Sequence, residues 1–256
     1  GNGSCIVAFD KFTGRERYRL SDELASYAVP AAATVGERRR CFAFTRGGLL
    51  GFDPQRGTQD FFFPWRAQVL ESVNASNPVV VGDRVLVSEC YGPGSALVRM
   101  APAGVEVVWR DDENSRRKAL QTHWNTPIHL DGFVYASSGR HSNDAELRCV
   151  RLDTGEVMWS EPNLSRASLT YVDGHLICLT EYGELLLLRA GPAKFDVVSR
   201  VTPTVPVEVR PPLLPTGGEP AKLLNYPAWA APVVARGLLY VRGEGRLACF
   251  ELMQPR

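Results

Sequence analysis

Between Thr126 and Trp159 the chain reads TPIHLDGFVYASSGRHSNDAELRCVRLDTGEVMW, and its apolar positions gather into four short runs, TPIHL, FVYAS, ELRCVRL and EVMW. Each run is too short for a globular helix and is rich in branched or aromatic residues. The joints carry Asp-Gly, Ser-Gly and Thr-Gly, so the pattern predicts four antiparallel strands in series. Asp131-Gly132 is the sharpest of these joints, because a two-residue type I′ hairpin needs positive φ at both central positions and Asp and Gly tolerate it. One such sheet, apolar on both faces, cannot bury itself. The pattern therefore predicts similar sheets stacked against it.

The chain supplies them. Comparable runs span Val29 to Trp65, Asn77 to Trp109 and Ala167 to Arg200, with Gly82-Asp83 and Asp173-Gly174 in the hairpin slot. A three-strand copy runs from Ala231 to Leu252, and a two-strand copy from Cys5 to Leu20. The closing aromatics Tyr18, Trp65, Trp109 and Trp159 recur at intervals of 47, 44 and 50 residues, the spacing of propeller blades. The expected fold is an all-β propeller of four-stranded antiparallel blades, four complete and two partial. Trp65, Trp109 and Trp159 are expected to be buried between blades. Residues 1–256 are expected to form one domain, interrupted by a Pro-rich insertion over 201–226 that crosses one face or projects from it.

The strings AFDKFTGRERY, GFDPQRGTQDFFFPW and CVRLDTGEVMW, each with a hairpin such as VVVGDRVLVSE nearby, resemble the repeat of quinoprotein-type (PQQ-like) β-propellers, roughly Ala-Leu-Asp-x-x-x-Gly-x-x-x-Trp. The resemblance covers nearly the whole chain and is specific for fold, not activity. The family holds both calcium- and pyrroloquinoline-quinone-dependent dehydrogenases and cofactor-free scaffolds such as the outer-membrane assembly lipoproteins. It implies a parent of seven or eight blades, an N-terminal truncation here and an exported, periplasmic location. The third copy replaces the repeat's Asp by the Met100–Gly104 loop, so that Asp reads as a turn-former and not a catalyst.

Composition narrows the function classes only modestly. A net charge of +1 and a pI near 7.8 give no footprint for nucleic acid or an anionic membrane. No apolar stretch is long enough to span a bilayer. Six cysteines at 5, 41, 90, 149, 178 and 249 show no metal-type C-x-x-C spacing, and most fall in strands, which predicts free core thiols and no metal site.

Chemistry-bearing residues concentrate where crossovers enter each blade, expected at the mouth of the central channel. Tyr27, Asn74, Asn77, His123, Trp124, Asn125, Arg166 and Trp229 are the candidates for contacting a ligand or partner. His123 beside Trp124 and Asn125 is the sharpest of them, against the simpler reading that Trp124 plugs the channel. Acidic residues near the mouth are few, and Glu89 and Glu181 stand at the far ends of their second strands. No G-x-S-x-G, H-E-x-x-H, Walker A or dinucleotide fingerprint is present. Nor is the adjacent cysteine pair found in many quinoprotein dehydrogenases. The expectation is a non-catalytic scaffold, with no catalytic residues and no cofactor, that binds a protein partner or small ligand. The alternative implied by the resemblance is an oxidoreductase using pyrroloquinoline quinone and calcium, its site completed by blades outside this sequence.

Overall fold

The computed structural model describes residues 1–102, 104–205 and 221–252. A two-stranded sheet pairs β1 (Ile6–Phe9) with β2 (Glu16–Leu20). Four complete sheets follow, each a simple antiparallel meander. The first holds β3 (Ala31–Val35), β4 (Arg38–Phe44), β5 (Gly48–Asp53) and β6 (Thr58–Pro64), and the second β7 (Val79–Val81), β8 (Arg84–Glu89), β9 (Gly94–Ala101) and β10 (Gly104–Arg110). The third holds β11 (Ile128–Leu130), β12 (Phe133–Ser138), β13 (Glu146–Arg151) and β14 (Val157–Pro162), and the fourth β15 (Ala167–Val172), β16 (His175–Thr180), β17 (Leu185–Arg189) and β18 (Asp196–Val201). The last sheet is β19 (Val233–Ala235), β20 (Leu238–Gly243) and β21 (Arg246–Glu251). The described residues contain no helix, hence none long and apolar enough to cross a membrane. First strands of successive sheets approach one another, β3 to β7, β7 to β11, β11 to β15 and β15 to β19, and the sheets form the blades of a β-propeller.

Local chemistry sets the joints. Asp131 and Gly132 take φ of 49° and 82°, Asp173 and Gly174 47° and 77°, and Arg236 and Gly237 54° and 77°, the type I′ geometry that matches strand twist. Pro64 ends an edge strand, where its missing N–H is not needed by a neighbour. The repeat's Asp acts as a turn-former: Asp53 Oδ1 accepts from the backbone N–H of Gln55 and Arg56, and Asp10 Oδ1 from those of Phe12 and Thr13. These bonds hold both carboxyls below the usual carboxylate range.

A β-bulge interrupts every third-to-fourth strand pair at the same register. Just past each bulge the fourth strand presents one residue across from the third: Tyr18, Phe61, Trp109, Trp159 and Ser199. The first four are aromatic and reach the following sheet. Tyr18 donates its hydroxyl to Pro54 O, Trp109 its indole N–H to Leu152 O, and Trp159 to Gly191 O. Phe61 joins the core shared by the first two complete blades. The seat is the repeat's glycine. A Cβ on Gly57 would lie 2.4 Å from the Tyr18 ring, and one on Gly155 3.0 Å from that of Trp109. The Gly and the aromatic of the repeat are thus two halves of one inter-blade joint.

That register corrects two expectations. The structural counterpart of Trp109 and Trp159 is Phe61, not Trp65; Trp65 stands four residues beyond, buried, with its indole N–H on Gly94 O. Trp109 and Trp159 are half-buried, because their rings lie near the outer rim of the sheets. Among the cysteines all are free thiols, but Cys249 is exposed, since it lies on a strand with no outer neighbour among the described residues. The ends of the Pro-rich insertion are clamped together: Thr204 bridges Lys222, Val205 N–H donates to Ala221 O and Leu223 N–H to Pro203 O. Residues 206–220 of the insertion lie outside the described residues.

Candidate functional site at the channel mouth

In a four-stranded meander the first strand leaves the crossover face and the second returns to it. The ends of second strands and the loops after them therefore share a face with the crossovers, and this is where functional groups meet. Trp124, Arg166 and Trp229 each precede their hairpin turn by seven residues, so three consecutive blades deliver them to equivalent places. The guanidinium carbon of Arg166 lies 4.5 Å from the Trp124 ring centroid and 5.8 Å from that of Trp229, and the two indoles touch at 5.1 Å. Trp124 Nε1 donates to Trp229 O at 3.1 Å.

Glu181, at the end of β16, anchors the group. Its side chain is fully buried and that of Arg166 is 13% exposed. Arg166 Nη2 donates to Oε2 at 2.7 Å and Nε to Oε1 at 3.2 Å, while Trp229 Nε1 donates to Oε2 at 3.3 Å. The backbones join as well, Glu181 N–H to Arg166 O and Ala228 N–H to Glu181 O, both at 2.9 Å. Burial raises the Glu181 pKa, but hydrogen bonds from Arg166, Ser142 and Trp229 outweigh it and hold the carboxyl below its usual range.

His123 extends the cluster towards the second complete blade. Arg166 Nη1 stands 3.4 Å from its Nδ1 and the Tyr91 hydroxyl 3.1 Å from its Nε2. A guanidinium only donates, so Nδ1 accepts and Nε2 carries the proton towards Tyr91. The Tyr91 hydroxyl proton is then free to point away from the cluster. Burial, aided by the charges of Arg166 and Arg140, pushes His123 down to about 4, so it is neutral at physiological pH. The Arg140 guanidinium covers the Tyr91 ring at 4.5 Å. Glu89, at the end of β8, accepts from the backbone N–H groups of Tyr91 and Gly92, and its burial raises it to about 7.

The rings make a continuous row. Tyr91 meets His123 at 5.7 Å, His123 meets Trp124 at 5.0 Å, and Trp124 meets Trp229. Trp229 meets Tyr226 at 5.9 Å, and Tyr226 stacks on Tyr182 at 5.3 Å. Tyr182, Tyr226 and Trp229 are 48%, 43% and 43% exposed, so one end of the row is open to solvent.

Of the residues singled out from sequence, His123, Trp124, Arg166 and Trp229 are brought together here. Asn74, Asn77 and Asn125 bond to the chain's own backbone: Asn74 Nδ2 donates to Thr45 O and Trp65 O, Asn125 Nδ2 to Ser137 O, and Asn77 Oδ1 accepts from Val29 N–H. They tie crossovers to blades. Tyr27 is 77% exposed and stands outside the row: it precedes its hairpin turn at Gly36 by nine residues, two off the register that Trp124, Arg166 and Trp229 share. Glu181, which the sequence reading placed only at the far end of its second strand, anchors the group, and Tyr91, Arg140, Tyr182 and Tyr226 were not singled out. Following strand direction through the meander would have placed Tyr91, Arg140 and Tyr182 on the crossover face.

The donor set does not fit a calcium-bound quinone. Among the described residues no three His, Cys, Asp or Glu side chains are placed to hold a metal ion. Glu181 is engaged by Arg166 and Trp229, Glu89 by two backbone N–H groups, and the contact between Trp124 and Trp229 leaves no slot for a planar ring between them.

A family model described as outer membrane protein assembly factor BamB matches residues 1–190. No curated protein matches the chain. Among solved structures, BamB from Moraxella catarrhalis is similar with a TM-score of 0.62 at 14% identity, over 95% of this chain and 65% of that one. The chain thus spans just under two thirds of that protein's length. Quinohemoprotein alcohol dehydrogenase from Comamonas testosteroni is similar with a TM-score of 0.58 at 11% identity, over 90% of this chain and 43% of that one. A europium-containing methanol dehydrogenase gives 0.52 at 13%, over 76% and 46%. At these identities the likenesses concern fold alone.

Proposed function

The chain belongs to the family described as outer membrane protein assembly factor BamB, and from that membership we propose that it is an exported, non-catalytic propeller scaffold that holds a partner polypeptide on its crossover face. The observation that carries the reading is the row of aromatic rings at the channel mouth. Exposed aromatics held rigidly are the residues that dominate protein contacts, since they bury much area with little side-chain entropy to lose. Here the ion pair between Glu181 and Arg166 fixes Trp124 and Trp229 before any partner arrives. Tyr182, Tyr226 and Trp229 offer the open end of the surface, and the Tyr91 hydroxyl and Arg140 offer polar contacts beside it. The oxidoreductase alternative finds no such support in the mouth's donor set.

Photo-crosslinking in cells of the source organism tests the location. A crosslinking residue at Trp229 is expected to give a discrete protein adduct, and one at Gly174, in a hairpin on the opposite face, none. Adducts from Gly174 with none from Trp229 would move the contact to the other face.

A further inference from the structure

Two buried glutamates stand where a second strand reaches the crossover face, Glu89 at the end of β8 and Glu181 just past β16. Their surroundings differ. Glu181 meets Arg166, which precedes its hairpin turn by seven residues; in the second complete blade that position is Ala75, so Glu89 receives no guanidinium from its own crossover. Glu89 Oε2 accepts from the backbone N–H of Tyr91 at 2.9 Å and of Gly92 at 3.1 Å, while Oε1, also buried, meets no donor among the described residues. Those two bonds hold the turn that carries Tyr91, the first ring of the row.

We propose that Glu89 is a proton-operated clamp on the Tyr91 end of the row: ionised, it fixes the turn for the partner, and protonated, it loosens it. This rests on the reading of the crossover face as a partner surface. A hydrogen bond to an ionised acceptor is roughly twice as strong as one to a neutral acceptor, so both backbone bonds weaken together when the carboxyl takes a proton. Burial outweighs these bonds and the charges of Arg140, between β12 and β13, and Arg66, after β6, and brings Glu89 to about 7. Both arginines stay charged, His123 is neutral down to about 4, and burial raises the Cys90 thiol and the Tyr91 hydroxyl. Glu71 pairs with Arg140, and neither His141 nor Asp144, in the loop that carries Arg140, hydrogen-bonds the Glu89 carboxyl. The opposite end of the row keeps its Glu181–Arg166 ion pair through the same range, since the Glu181 carboxyl is held below its usual value. One end of the surface is therefore permanent and the other conditional.

The test follows the backbone amide signals of Tyr91 and Gly92 in the full chain by NMR from about pH 5 to about pH 8.5. Both are expected to move with one midpoint near 7 in the wild type, to stay still in Glu89→Gln, and to keep the midpoint in His141→Gln, which removes the neighbouring exposed imidazole. Arg140→Gln, which retains the carboxyl, should raise the midpoint and serves where Glu89→Gln yields too little folded protein. A folded acid whose pKa is raised destabilises the chain as pH rises through it, so the wild type should also gain urea midpoint relative to Glu89→Gln as pH falls from about 8 to about 5. A crosslinking residue at Gln68, exposed on the cleft that Tyr91 also lines, should give at least threefold more adduct in cells at pH 8 than at pH 6, and equal adduct in Glu89→Gln. Amides without a midpoint between about 6 and 8, a midpoint kept in Glu89→Gln or lost in His141→Gln, or Gln68 adducts that are absent or indifferent to pH while Trp229 crosslinks, overturn the proposal. Absence of the Trp229 adduct at every pH counts against the partner surface itself, and the amide titration then decides the clamp.

Discussion

Replacing Glu181 by Gln lowers stability by about 3 kcal/mol at neutral pH, read as the shift in urea midpoint at constant slope. The cost arises because Arg166, nearly buried, keeps its charge and loses the carboxylate that compensates it, while Trp229 loses its fixed acceptor. The pH dependence separates this from a packing defect. The folded carboxyl of Glu181 is depressed below its ordinary value by its hydrogen bonds from Arg166, Ser142 and Trp229. Its contribution is therefore fully present above the ordinary carboxylate pKa and is lost as pH falls through the depressed folded value. Wild type and Glu181→Gln should differ most at neutral pH and converge in acid. A gap of constant size down to the acid transition would show that charge is not its cause. The variant should also change tryptophan emission, since the loss frees both indoles that the pair holds.

Gly57→Ala is expected to cost about 2–4 kcal/mol, the sum of a left-handed backbone forced on Ala and the displacement of a packed ring. Gly57 has φ of +66°, and an added Cβ would lie 2.4 Å from the Tyr18 ring. Gly36 isolates the two contributions, because its φ is +60° and nothing lies within 4 Å of the added atom. Gly36→Ala should cost only the backbone share, about 1–2 kcal/mol. In a Tyr18→Ala background the excess of Gly57→Ala over Gly36→Ala should vanish. Persistence of the excess would mean that the ring is not seated on the turn.

The fold was largely legible because hydrophobic alternation and Asp-Gly joints are local signals that repeat. Six copies of one pattern constrain the register even where one is irregular. Trp65 is buried between the first two complete blades, but it is not the register counterpart of Trp109 and Trp159, for a physical reason. A bulge inserts an unpaired residue, so counting aromatics along the strand does not reveal which of Phe61, Phe62, Phe63 and Trp65 faces the next blade. The site was legible only in part. Trp124 and Trp229 stood out as aromatics at crossovers, and Arg166 as a polar residue in the same register. The partner that fixes them, Glu181, lies fifteen residues from Arg166 at the end of another strand, and only the up-and-down path of the meander returns it to the same face. Sequence could not sort the asparagines, because a polar side chain at a crossover serves equally well to cap the carbonyls of a neighbouring strand, as Asn74 and Asn125 do.

On the proposed function the channel mouth is a rigid contact surface, closed by its own ion pair and ring contacts, and not a cofactor cradle. Thermal melting of the full chain with added pyrroloquinoline quinone and calcium tests this most directly, because a ligand that binds only the folded state raises the melting temperature by mass action. An unchanged melting temperature is expected at saturating quinone and calcium. A concentration-dependent rise of several degrees, abolished by Glu181→Gln, would contradict it.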